Sequence, residues 1–320
     1  MKKGYLYILL STLLFSSMEV ALKCVTGQFG ALQITFLRFL IGSIVLLPPA
    51  IRGIRRKKTR LHSGDFAFFA LTGFLCVVVS MILYQLAIVY SQASLVAVLF
   101  SCNPIFVVLF AWPILHEKIY RHTIYSLIVS FAGILVIINP AHMAGNGLGI
   151  ALTILSAVTF ALYGVTGRKR SERYGGFALT CFSFLFGSAE LLLLIIVSRI
   201  GVISTFFTQA GLSAFADVPI FQGISLATLP SLLYIGVCVT GFGYAFYFLA
   251  MEATSAATAS LVFFIKPILA PILALLFLHE PITVSMAVGI LLILAGSLVS
   301  LLGGLRLKKA SLEKSTDPIP

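Results

Sequence analysis

The sequence predicts an all-α membrane protein of ten transmembrane helices, arranged as two inverted five-helix repeats. Three observations carry that prediction. Of 320 residues, 60% are hydrophobic and only 10% charged, and the mean hydropathy is +1.09. A soluble domain carries about 25% charged residues. Apolar runs long enough to cross about 30 Å of hydrocarbon as a helix recur along the whole chain. Finally, the two halves of the chain align on each other.

The ten runs fall at 5–26, 31–50, 66–88, 94–115, 122–139, 149–167, 177–199, 228–250, 257–279 and 283–303. Helix 1 follows Lys2 and Lys3. Arg52–Arg60 (RGIRRKKTR) separates helices 2 and 3, Lys118–Arg121 separates 4 and 5, and Arg168–Arg173 (RKRSER) separates 6 and 7. The loops at 140–148 and 200–227 hold no lysine or arginine, whereas Arg306–Lys309 follows helix 10. By the positive-inside rule both termini are cytoplasmic in a multi-pass cell-membrane protein. The net charge of +12 resides in these short loops, with no basic face interleaved with aromatics, so nucleic acid is not an expected partner. The five cysteines form no CxxC pair and imply neither a disulfide framework nor a metal site.

The repeat has two registers. Residues 10–43 align without gaps on 155–188, and residues 84–136 on 247–299. In the second, YQLA (84–87) meets YFLA, NPI (103–105) meets KPI, LHEKI (115–119) meets LHEPI, and AGILV (132–136) meets AGSLV. The units are placed at 4–139 and 146–303, followed by a cytoplasmic tail, 304–320. Because five is odd, two such units in one chain lie upside down relative to each other. That architecture suits a carrier that rocks about a midplane site.

These repeats, each with a proline-bearing helix, an LHE corner and an AG-x-L-V helix, resemble the EamA-type members of the drug/metabolite transporter superfamily. The resemblance runs from about residue 4 to 303. It implies a ten-helix carrier with a central cavity and helices 5 and 10 at the periphery, and known members export amino acids and other metabolites. It assigns Lys266 no role.

Charges within the bilayer mark candidate site residues, because each costs at least about 2.5–3.5 kcal/mol at mid-helix on insertion scales. Glu19, Lys23, Glu190 and Lys266 stand out. At 1.5 Å per residue Lys266 lies ~14 Å into helix 9 and Glu190 ~20 Å into helix 7. Thr12, Ser16, Glu19 and Lys23 draw one polar stripe on helix 1, so Glu19 and Lys23 either pair with each other (i, i+4) or line a cavity. Thr180, Ser183, Gly187 and Glu190 draw another on helix 7, readable as a small-residue packing seam. Lys266 either neutralises a buried glutamate such as Glu19 or offers a cation to the solute. In the aligned repeats Glu19 falls on Gly164, Glu190 on Val45 and Lys266 on Asn103, so these charges are where the halves differ. Asn103, Tyr84, Tyr163, Tyr244, Tyr247 and Phe263 complete the candidate substrate-binding set. His116-Glu117 and His279-Glu280 are expected to cap helices 5 and 10. Neither pair continues as HExxH, so no metal or other cofactor is expected.

The sequence therefore points to a secondary transporter, an exporter of an amino acid or related small organic solute, with Glu19 and Glu190 as candidates for proton coupling. It is expected to work as a monomer and not as an enzyme. A membrane-embedded enzyme and a non-transporting scaffold remain the alternatives.

Overall fold

A computed structural model describes residues 2–116, 120–138, 147–254, 259 and 262–316, and these form helices with no strand among them. Among the described residues, eight helices are long and apolar enough to cross a membrane: α1 (Lys3–Cys24), α2 (Ala31–Lys57), α3 (Ser63–Tyr90), α4 (Ala93–Leu115), α5 (Arg121–Ile138), α6 (Gly147–Ser171), α7 (Gly176–Ser198) and α8 (Leu229–Ala250). Two more helices follow, α9 (Val262–Leu278) and α10 (Val284–Thr316), with shorter apolar stretches at Ile265–Leu278 and Val284–Val299.

Helix ends differ from expectation where basic residues gather. The run beginning at Arg52 is helical to Lys57, and Lys58 ends α2 in the left-handed region (φ 52°). The RKRSER run continues the α6 helix to Tyr174, and α10 runs on to Thr316. Cations in a last turn are favoured by the helix dipole, so a charged run that leaves the apolar slab need not leave the helix. The 200–227 segment holds a short helix, Gly201–Gln209, whose Val202 and Phe206 are exposed.

Close helix crossings occur in matched pairs at the offsets of the repeat. Gly73 of α3 packs on Gly187 of α7, and Gly236 of α8 on Gly42 of α2. Ser80 of α3 and Ser156 of α6 each donate to the other's carbonyl (2.9 and 2.8 Å), and Ser11 of α1 donates to the Gly243 carbonyl of α8 (3.1 Å). π-helical turns lie at Phe74–Ser80 and Tyr234–Gly243. On α5 and α10, Gly133 faces Gly289, and Gly296 faces Ser126. With no hydrophobic drive between helices in lipid, such small-residue seams let backbones approach and gain dispersion contacts. A Cβ on Gly187 would sit 2.7 Å from the Gly73 carbonyl oxygen and from the Val77 side chain. Gly187→Val is therefore expected to force α3 and α7 apart and cost about 1–3 kcal/mol, seen as a lower thermal midpoint in detergent. An unchanged midpoint would show that the seam yields easily.

The two histidine corners share one backbone form, with His116 at φ 54° and His279 at φ 56°, ending α4 and α9. The expected capping of helices 5 and 10 is corrected for one of the two glutamates; Glu117 lies outside the described residues. Glu280 caps α4, accepting from the N–H groups of Ala93 and Ser94 (both 2.9 Å) and from Ser94 Oγ (2.7 Å). Those N–H groups are unpaired donors of a helix start, and a carboxylate arriving from another helix satisfies two of them together.

Candidate functional site

Two of the membrane helices are interrupted beside the candidate residues. The α1 helix breaks at Ser17, one residue before Met18–Cys24 resumes, and α4 turns at Ser101–Cys102 before resuming at Asn103. In contrast α9 stays helical through Pro267 and Pro271. The breaks set Glu19 of α1 and Phe100 of α4 against Lys266 of α9.

Lys266 Nζ lies 2.6 Å from Glu19 Oε1, with each side chain 1% exposed. The Tyr84 hydroxyl of α3 donates to the same oxygen. Around the ammonium, the rings of Phe100 and Tyr84 lie 5.3 and 5.9 Å from Nζ, close enough for cation–π attraction. Glu19 Oε2 has no hydrogen-bond partner among the described residues. A buried ion pair repays its desolvation only when its remaining lone pairs and protons are satisfied. This one is half satisfied, and so is poised to accept another group.

The Glu19–Lys23 alternative is not what forms. Lys23 Nζ donates to the carbonyls of Ile88 (2.6 Å) and Ser91 (2.8 Å), so it closes the C-terminal end of α3. Asn103, which the repeat aligns with Lys266, donates from Nδ2 to the Ala157 carbonyl of α6 (2.8 Å). Each of the two thus reaches the first helix of the other half, one as an amide and the other as a charge.

Aromatic rings link the rest of the set. Phe100 touches Phe160 (5.4 Å between centroids), which touches Tyr163 (5.7 Å) and Tyr244 (6.2 Å). Tyr247 packs on Phe263 (5.7 Å) and on Phe15 (6.0 Å), whose other ring neighbour is Tyr244 (5.0 Å). The Tyr163 hydroxyl is buried beside Thr180 and Ser183 of α7. Glu190 stands apart, half-buried on α7, with Oε2 unpartnered among the described residues. The rest of its stripe is the α3–α7 seam, where Ser183 Oγ pairs with Thr72 Oγ1 at 2.7 Å and Gly187 packs on Gly73. A separate cleft of about 250 Å³, lined by Thr26, Phe29, Leu86, Tyr90, Ala214 and Val218 among others, opens at the α1–α2 loop.

One charged residue escaped the sequence reading. Arg38 of α2 is 0% exposed, and among the described residues its Nε and Nη2 have no hydrogen-bond partner. Nη1 faces Met18 Sδ at 3.6 Å, and the guanidinium carbon lies 4.6 Å from the Phe39 ring centroid. Glu19, Tyr84 and Tyr244 are all within its electrostatic reach. The signal was available: Arg38 aligns with Ser183 in the repeat, an unshared charge of the same kind as Glu19 and Lys266.

Comparison with known proteins fits this arrangement. The EamA-like transporter family matches twice, at residues 2–139 and 147–302. An uncharacterized transporter of Clostridium kluyveri is 41% identical over 308 residues, 94% of this chain and 93% of that protein. The pseudopaline exporter CntI of Pseudomonas aeruginosa is 26% identical over 185 residues, 58% of this chain and 63% of its own. A solved crystal structure superposes with a TM-score of 0.67 at 17% identity, over 94% of this chain and 98% of that one, and so shares the fold.

Proposed function

This chain belongs to the EamA-like transporter family, and on that premise we propose that it is a secondary carrier exporting an amino acid or related small organic metabolite by alternating access. The carrier works as a monomer of ten spans in two inverted repeats, 4–139 and 146–303, with both termini cytoplasmic. The matched glycine and serine crossings at the repeat offsets support that organisation, as does the basic content of alternate loops. Export is the direction named for one relative, CntI.

The observation that carries the reading is the buried Glu19–Lys266 pair, which joins α1 of one half to α9 of the other. The bond sits where a solute with its own charges could exchange with it as the halves move. Aromatic walls around it suit a small amphipathic solute. A proton gradient is the proposed drive, with Glu19 taking up a proton as Lys266 leaves it for the solute. Proteoliposomes carrying the purified protein test the function: counterflow of at least one member of an amino-acid panel is expected, accelerated by an imposed pH gradient. No movement of any panel member under any gradient would remove the carrier reading. Movement indifferent to pH would remove the proton coupling alone.

A further inference from the structure

We propose that Arg38 is the solute's carboxylate-recognition residue, so that the carrier selects solutes bearing an anionic group. The inference rests on the carrier reading above and adds to it the chemical demand made on the solute. Three observations lead to it.

The first is charge balance. Lys266 and Arg38 are both buried cations, whereas the buried carboxylates among the described residues are Glu19, whose charge acts on Arg38, and Asp65, which is held by Arg173 and Tyr174. Glu19 is already engaged by Lys266 and Tyr84 through one oxygen. One buried positive charge is left without a counter-ion, a state too costly in a bilayer to be kept without a task.

The second is geometry. Nε and Nη2 form one edge of the guanidinium fork, and both are buried and partnerless. Two parallel N–H donors on one edge match the two oxygens of a carboxylate, which is the recognition arginine performs and lysine cannot. Glu19 Oε2, likewise unpartnered, lies in the same neighbourhood and offers a place for a cationic group on the same solute.

The third is the comparison between halves. Ser183, which the repeat aligns with Arg38, has a structural partner in Thr72 (2.7 Å). The residue in Thr72's equivalent place is Ile235, buried and without an acceptor. The structural hydrogen bond of one half is thus absent from the other, and a charge has replaced it.

The test is counterflow in proteoliposomes with leucine, phenylalanine and aspartate, each supplied as the free acid and as its α-carboxamide. The wild type is expected to move at least one free acid and to discriminate against the corresponding amide. Losing a charge-assisted bidentate contact predicts uptake on the order of 10- to 100-fold lower for Arg38→Gln. Arg38→Lys, which keeps the charge but not the fork, is expected to fall between. Size-exclusion profile and thermal midpoint establish that the variants fold; should the Gln variant not fold, Arg38→Lys decides, and full uptake by it overturns the proposal. Equal transport of acid and amide by the wild type, or full transport by folded Arg38→Gln, would also overturn it while leaving the carrier reading intact. Failure of the wild type to move any of the six compounds would overturn both it and the amino-acid reading.

Discussion

Lys266→Ala is expected to abolish solute movement in proteoliposomes while the chain still folds with a lowered thermal midpoint. The side chain is 1% exposed and supplies the ammonium 2.6 Å from Glu19. Truncating one member of a buried pair leaves the other charge unpaired, a loss of about 3–5 kcal/mol in such settings. Tyr84 still donates to the carboxylate, which softens but does not cancel that loss. Uptake assays and thermal unfolding on the same preparation separate the two effects. A variant that folds and transports normally would return Lys266 to a purely structural role.

Glu19→Gln is expected to have the second-largest effect, and for a different reason. The amide keeps the volume and can still accept from Tyr84, but Lys266 and Arg38 are then two buried cations with no carboxylate between them. Two like charges buried together without a carboxylate repel, so the packing around them loosens. Transport should stop, and any pH dependence should vanish with it. Retained transport with the wild-type response to a pH gradient would exclude Glu19 from both solute binding and coupling.

Much of this was readable from composition and pattern because the bilayer makes charge conspicuous. Glu19 and Lys266 stand in apolar runs, and the aligned repeat marks each as unshared. Their pairing was one of two open alternatives, since a helix-local Glu19–Lys23 bond satisfies the same spacing. Long-range geometry decided it: the end of α3 presents free carbonyls to Lys23, and α9 brings Lys266 to Glu19. Arg38 carried the same mark, and with Thr35 and Gly42 it repeats on α2 the stripe of Thr180, Ser183 and Gly187 on α7, so the comparison of the halves at that stripe was the signal that pointed to it. The role of Glu280 could not be read locally, because the helix start it caps lies 186 residues or more away in sequence. Helices 2, 6 and 10 were read short by several residues where a basic run follows the apolar one, for hydropathy ends where charge begins and the helix does not.

The Glu19–Lys266 pair is expected to serve transport and not merely the fold. The double variant Glu19→Gln/Lys266→Met separates these roles, since replacing both ions of a buried pair by neutral groups is often neutral or stabilising. Its thermal midpoint and its counterflow should be measured together in proteoliposomes made from one preparation. A midpoint recovered to near that of the wild type with no solute movement is the expected result; a recovered midpoint with recovered counterflow would show that the pair serves the fold alone.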